Sequence, residues 1–277
     1  MESTTTPSSG TPSLPGVSIV IPVYNESERI GSTLEQLAEF LRAAPFRAEV
    51  IIADDGSTDD TRGIAARHAG SYPHFHLLTL PHGGKARAVL AGLRVATQPI
   101  VGFMDADLAT PLPTLVEAVE LIQGGADVAI GSREGEGSRR IGEPEYRHIM
   151  GRLFNRLVRL LILPGIHDTQ CGFKFMTSEA ATEILSRVQL YRNSEEVSHP
   201  RVTAFDVELL FIARQLGLAI AVIPVTWSYG TSSKVSPLRD TLQNLRDVVQ
   251  VWLNGRRGLY AGDATPLAGR CDETANS

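Results

Sequence analysis

Three polar clusters stand where short apolar runs stop. The run at 17–23 (VSIVIPV) leads into Pro22-Val23-Tyr24-Asn25-Glu26, the run at 50–53 into Asp54-Asp55-Gly56-Ser57, and the run at 100–104 into Asp105-Ala106-Asp107. Carboxylates gathered on one rim repel each other unless a cation or a donor-rich ligand joins them. Asp105 and Asp107, with one residue between them, can reach a single hard cation through oxygen. That suits Mg²⁺ or Mn²⁺ bound jointly with phosphate oxygens. The competing role for such acids is helix capping. Asp59 or Asp60 fits it, whereas Pro111 delays the next helix after Asp107, so the 105/107 pair is read as functional.

A fourth cluster, His82-Gly83-Gly84-Lys85, opens a helix. Backbone amides at a helix start plus a lysine suit a phosphate, and a turn with a solvated lysine is an equal alternative. Other motifs are excluded. No G-x-x-x-x-G-K-[ST], G-x-S-x-G or H-E-x-x-H occurs. The stretch 135–140 (GEGSRR) has Arg140 where a dinucleotide fingerprint needs its third glycine, and it follows the fifth strand rather than the first.

The elements that must position these residues alternate. Strands are expected at 17–23, 50–53, 76–80, 100–104 and 127–131. Helices are expected at 28–44, from Asp59 or Asp60 to 69, at 85–96 and at 112–123. Such alternation with short loops argues for an α/β fold, a mainly parallel sheet flanked by helices. In such sheets ligands sit outside the carboxyl ends of the strands, so the three polar clusters should share one rim. Further on, helices are expected at 145–163, 205–216 and 238–253, and strands at 172–176 and 220–225. The last helix packs either on a partner copy, giving a homo-oligomer, or back on its own sheet.

Composition bounds the class. The chain has 277 residues, 43% of them hydrophobic and 21% charged, which is enough to build a core without staples and excludes wholesale disorder. Lys plus Arg is 26 against 31 Asp plus Glu, a net charge of -5, so no general basic footprint for nucleic acid exists. Cys171 and Cys271, far apart, form neither a zinc pattern nor a disulfide framework, which fits a reducing, cytoplasmic setting. Residues 1–15 and 261–277 read as loose polar tails around a single domain at 16–260. No leader and no membrane-spanning run is expected. Arg152, Arg156 and Arg159 recur at helical spacing beside Leu153, Leu157, Leu160 and Leu161. That is either an ordinary solvated face or a peripheral contact with the cytoplasmic face of an anionic membrane.

Taken together, residues 19–26 (IVIPVYNE), 54–59 (DDGSTD) and Asp105-Ala106-Asp107 resemble a family 2 glycosyltransferase of the GT-A fold. Residues 104–111 (MDADLATP), Gly131-Ser132-Arg133, 168–174 (DTQCGFK) and 205–209 (FDVEL) resemble its dolichyl-phosphate β-glucosyltransferase and polyprenyl-phosphate sugar synthase branch. The similarity runs from about 17 to 260.

The resemblance implies a metal-dependent, inverting transfer of a hexose from a nucleotide-sugar donor, UDP-glucose, to a polyprenyl or dolichyl phosphate. It implies that Pro22, Tyr24, Glu26, Asp55 and Asp105 hold the base and ribose, with Asn25, Asp54, Gly56 and Ala106 completing the nucleotide set. Asp107, with Asp105, would hold Mg²⁺ or Mn²⁺, and Lys85 would face the diphosphate. Arg133 would approach the donor or acceptor phosphate. Asp168, Gln170 and Lys174 would line the acceptor side, and Asp206 with Glu208 the region opposite the leaving group. An anionic acceptor needs basic residues to position it, and Arg133, Arg139, Arg140 and Arg147 form a candidate cluster. A hydroxyl acceptor needs a base instead, which makes Asp168 or Asp206 the candidate, with helix N-capping the equal alternative for Asp206. Cys171 reads as a small buried hydrophobe.

Two features depart from the branch: the chain lacks membrane helices, and the acidic segment 191–203 is long, as a lid over the acceptor would be. The alternatives are a GDP-mannose-dependent polyprenyl-phosphate mannosyltransferase, a transferase with a non-lipid acceptor, and a nucleotide-binding module without catalysis. The intact Asp105/Asp107 pair argues against the last.

Overall fold

The structure, a computed structural model, describes residues 14–142, 145–191, 204–228 and 237–261, with backbone alone at 145–150, 153 and 237–242. The first half alternates as expected: β1 (Leu14–Val23), α1 (Ile30–Ala43), β2 (Phe46–Asp54), α2 (Thr61–Ser71), β3 (Phe75–Thr79), α3 (Lys85–Val95), β4 (Ile100–Met104), α4 (Thr114–Gln123) and β5 (Val128–Ser132). Then come β6 (Arg139–Ile141), α5 (Glu145–Leu161), β7 (Phe173–Thr177), α6 (Ser178–Arg187), α7 (Phe205–Gln215), β8 (Ile220–Pro224), β9 (Thr226–Ser228) and α8 (Pro237–Arg256).

Seven strands form one sheet in the order β3-β2-β1-β4-β7-β5-β8. All neighbours pair parallel except β7, which runs antiparallel between β4 and β5. The strand order reverses beside β1: β2 and β3 build outward on one side, β4 on the other. A crevice therefore opens outside the carboxyl ends of β1 and β4, where ligands bind in open α/β sheets.

Burial on both faces explains the near-continuous apolar strands. In β1, Ile19 and Ile21 point to the face covered by α1, α2 and α4, and Val20 to the face covered by α3, α6, α7 and α8. Ile19 and Ile21 are wholly buried, each stabilising the fold by about 1.5–3 kcal/mol. α8 packs back on its own domain: Val248 and Val251 enter the same core as α7.

Three elements escaped sequence reading. Strands β6 and β9 are three residues each, too short to carry a period, and pair parallel as a separate two-stranded sheet. Helix α6 starts directly at the end of β7, where the Thr177 side chain accepts from Ala180 N and caps it. Of the segment 191–203, read as a lid, only Tyr191 is described; 192–203 and the tails beyond 14–261 lie outside the described residues.

Candidate active site

The crevice at the switch point is lined by Pro22, Val23, Tyr24, Glu26, Arg29, Asp55, His82, Gly84, Lys85 and Asp105-Ala106-Asp107. The three clusters thus share one rim, because β1, β2 and β4 run parallel and end together. One end is charged: Lys85 Nζ lies 2.5 Å from Asp105 Oδ1. Burial opposes the Lys85 charge, but Asp105, Asp206 and Asp107 outweigh it and hold its pKa above the usual lysine value. Asp107 is exposed on the rim, and its Oδ1 accepts from Ala109 N at 3.1 Å. Crowding by the protein and then the like charge of Asp105 raise its carboxyl above the ordinary value. At an exposed position the like charge is the cause that matters, and it is what a bound cation would relieve.

The donor chemistry suits a hard divalent cation. Asp105 and Asp107 offer carboxylate oxygens at the end of one strand, and among the described residues no group of three or more His, Cys, Asp or Glu is arranged to hold a metal ion by itself. The protein would then supply two ligands and leave the remaining positions to phosphate oxygens and water, as Mg²⁺ and Mn²⁺ sites do.

The other end is aromatic. Tyr24 and His82 stack with ring centroids 4.1 Å apart and planes 13° from parallel. Asp55 organises this end rather than standing free to hold a ribose. Its Oδ1 accepts from Gly83 N and its Oδ2 from Gly84 N and His82 Nδ1, each at 2.8 Å. The Gly83 and Gly84 amides are consequently spent on Asp55, which corrects the phosphate-cradle reading of this loop.

Three residues of the expected nucleotide set stand behind the crevice. Asp54 is wholly buried, with Oδ1 accepting from Ser57 N and Oδ2 from Arg62 Nε. Asn25, at φ 52°, accepts from Thr58 N and donates its own N–H to Ser57 Oγ, tying the first rim loop to the second. Gly56, at φ 72°, permits the close approach of its loop to His82, whose backbone N would collide with any Cβ there. Conversely, His82 and Arg29 line the crevice and were not singled out. The available signal was the His82-Gly83-Gly84-Lys85 cluster itself, read for its lysine and amides instead of its imidazole.

The second-half residues pair among themselves. Asp168 is fully buried and takes both Arg133 Nε (2.7 Å) and Nη2 (2.9 Å), the Arg133 backbone N–H, and Gln170 N. Burial disfavours its charge, yet Arg133 holds the carboxyl well below the ordinary value. Both oxygens of Asp168 are thus engaged by Arg133, whose guanidinium is turned toward this carboxylate and lies 5.3 Å from the Trp227 ring centroid. Asn155 on α5 accepts from Thr169 and steadies this loop.

Lys174 does not line an acceptor site: it is 1% exposed, with Nζ 2.6 Å from Asp206 Oδ1 and 2.6 Å from Cys171 O. Alternation along β7 sends it into the sheet interior. Asp206, on the first turn of α7, is not the N-cap, a place Ala204 holds, and its carboxylate answers Lys174 instead of a substrate hydroxyl. Arg139 is exposed, Arg140 is paired with Glu134 at 2.9 Å, and the Arg147 side chain lies outside the described residues. Cys171 is buried, and burial first and then Asp168 push its thiol up to about 11, so it is no nucleophile.

Glu208 faces inward, accepting from Gln189 N, Leu190 N and Tyr260 OH. Burial, against these donors, pushes its carboxyl up to about 7 from 4.5. The folded state therefore binds the proton more tightly than the unfolded one, and stability falls as pH rises from about 4.5 through 7. Urea titrations should show the wild type losing ~3 kcal/mol relative to Glu208→Gln across that window. Parallel curves would mean that the carboxyl ionises freely.

Comparison with known proteins agrees with this geometry. Residues 18–185 match the model of Glycosyl transferase family 2. A dolichyl-phosphate beta-glucosyltransferase of Trichomonas vaginalis is 33% identical over 253 residues, covering 87% of this chain and 72% of that protein. The human dolichyl-phosphate beta-glucosyltransferase is 32% identical over 268 residues, covering 90% and 78%. Among solved structures, glucosyl-3-phosphoglycerate synthase from Mycobacterium tuberculosis, in complex with Mn²⁺, UDP and glucosyl-3-phosphoglycerate, superposes with a TM-score of 0.59 at 22% identity, covering 88% of this chain and 80% of that one. Mannosyl-3-phosphoglycerate synthase from Rubrobacter xylanophilus gives 0.61 at 19%, covering 95% and 80%. The fold is the GT-A glycosyltransferase fold, and the chain belongs to glycosyl transferase family 2.

Proposed function

We propose that this protein moves glucose from UDP-glucose to a polyprenyl or dolichyl phosphate, with inversion at C1. The relatives named dolichyl-phosphate beta-glucosyltransferase support the acceptor and the sugar. The observation that carries the reading is the state of the two carboxyls offered as bases. Asp168 is bound to Arg133 and Asp206 to Lys174, so neither is available to deprotonate a hydroxyl. A phosphate acceptor is already anionic and needs none.

Asp105 and Asp107 would hold Mg²⁺ or Mn²⁺, which supplies charge stabilisation at the departing diphosphate. Lys85, kept charged by three carboxylates, is placed to meet the negative charge that develops on the leaving group. The acceptor phosphate oxygen attacks C1 from the face opposite the leaving group. The C1–O bond breaks, its electron pair goes to the β-phosphate of UDP, and an α-linked donor yields a β-linked lipid product.

A lipid acceptor brings the enzyme to a membrane surface. No described helix is long and apolar enough to cross a membrane. Helix α5 turns Phe154 and Val158 inward and leaves Arg152, Arg156, Leu160 and Leu161 outward, a surface suited to anionic headgroups.

The test is transfer of radiolabelled sugar, with Mn²⁺ or Mg²⁺, from UDP-glucose or GDP-mannose to polyprenyl phosphate, to a polyprenol and to 3-phosphoglycerate. Glucosylated polyprenyl phosphate is expected. Transfer to the polyprenol or to 3-phosphoglycerate alone would overturn the lipid-phosphate acceptor, and transfer from GDP-mannose alone would move the protein to a mannosyl donor.

A further inference from the structure

A glycine is required where the backbone turns left-handed, or where something lies too close for a Cβ. Gly172, one residue ahead of β7, is not among the glycines at positive φ, so its backbone suits any residue. What excludes a side chain there is space. The three heavy atoms nearest to a Cβ at 172 are Asp105 Oδ2, Cγ and Oδ1, all closer than non-bonded atoms approach. The carboxyl of the strand-end aspartate thus lies in the place where a side chain at 172 would begin.

Neither backbone can retreat. Asp105 N donates to Gly172 O at 3.1 Å, which extends the β4–β7 ladder by one pair, and Leu108 N donates to Asp105 O. The residues leading to Gly172 are tied one after another: Asp168 to Arg133, Thr169 to Asn155, and Cys171 O to Lys174 Nζ. With both chains held, a Cβ at 172 would be accommodated by the Asp105 side chain, which must leave its present staggered position for another. In the present one, Asp105 Oδ1 meets Lys85 Nζ at 2.5 Å, and Asp105 and Asp107 line the crevice together.

Resting on the reading of Asp105 and Asp107 as metal ligands, we propose that Gly172 is a positioning residue for the metal seat: its missing Cβ is the space in which the Asp105 carboxyl faces Lys85 and Asp107, and any side chain at 172 turns that carboxyl away from the cation. Residues 168–172, expected on the acceptor side, thereby set an aspartate of the donor side. Partners that orient a metal ligand are worth about 10–100-fold in metal affinity.

The test is calorimetric titration of Mn²⁺, with UDP present, into the full chain as wild type, Gly172→Ala, Asp105→Ala and the double variant Asp105→Ala/Gly172→Ala. Gly172→Ala should bind Mn²⁺ about 10–100-fold more weakly than the wild type. Its melting temperature should stay within about 3 °C, since the backbone accepts alanine and only one side chain moves. In the double variant the carboxyl is gone and the Cβ has room. Its Mn²⁺ affinity should therefore match that of Asp105→Ala within about threefold. A glycine that served only the fold would weaken the double variant further. Wild-type affinity in Gly172→Ala, or losses that multiply in the double variant, would overturn the proposal.

If Gly172→Ala does not fold, the double variant decides by its melting temperature. It should match Asp105→Ala within about 3 °C, and failure of the double variant to fold would overturn the proposal, because the Cβ would then meet something other than the carboxyl. Should Mn²⁺ bind the wild type and Asp105→Ala equally, or neither of them, the metal reading itself fails. That result is distinct from a loss in Asp105→Ala that Gly172→Ala does not share.

Discussion

Asp107→Ala should lower glycosyl transfer by about 10³-fold while leaving the fold intact. The two halves of that expectation have separate causes. Asp107 is exposed at the end of β4, and the bond it accepts from Ala109 N is a local turn contact, so its loss costs about 1 kcal/mol of stability at most. Its charge, however, is one of two that would hold the divalent cation. The decisive readout is Mn²⁺ affinity measured with UDP present, which should collapse in the variant while the melting temperature moves by a few degrees at most. Transfer within tenfold of the wild type, with the same metal dependence, would place the metal elsewhere.

Lys174→Ala should be among the most destabilising single changes in the chain. The pair with Asp206 is closed to solvent, with side-chain exposures of 1% and 8%. Truncating the lysine leaves a buried carboxylate unpaired, which costs about 3–5 kcal/mol, or roughly 6–20 °C in melting temperature at 2–4 °C per kcal/mol for a domain of this size. The double variant Lys174→Met/Asp206→Leu removes both charges and fills the space, and should recover most of that loss, since buried ion pairs contribute little beyond their hydrophobic equivalents. Asp206 is also one of three carboxylates that raise the Lys85 pKa, but Asp105 and Asp107 remain in the double variant and keep that lysine charged. Transfer should therefore recover together with the fold, to within about tenfold of the wild type. A double variant that is stable but inactive would show that the pair also serves the site.

The line between what sequence and structure each decide runs through neighbouring residues. Asp54 and Asp55 are indistinguishable as letters at the end of a strand. Alternation places one behind the rim against Arg62 and the other in the crevice against His82 and two amides. Asp105-Ala106-Asp107 was legible because β4 is five buried residues that stop dead at the first aspartate, and the parallel ends of β1 and β2 bring the other clusters alongside. Lys174 in 168–174 (DTQCGFK) was read toward the acceptor. Alternation along β7 sets Phe173 and Phe175 on one face and Lys174 on the other, beside Phe103, where α7 covers the sheet and brings Asp206 to it.

What the amino-acid sequence determined by itself is local: which runs are strands buried on both faces, where they end, and which hard-oxygen and cationic groups stand at those ends. Period, β-branching and spacing act over a few residues, so they are readable in order along the chain. What the tertiary structure decided is which charges are spent on one another. The Arg133–Asp168 pair spans 35 residues, Lys174–Asp206 spans 32 and Asp55–His82 spans 27. Whether a carboxylate serves as base, metal ligand or counter-ion depends on the charge and the solvent around it in the fold, and those are properties of the packed sheet and its helices.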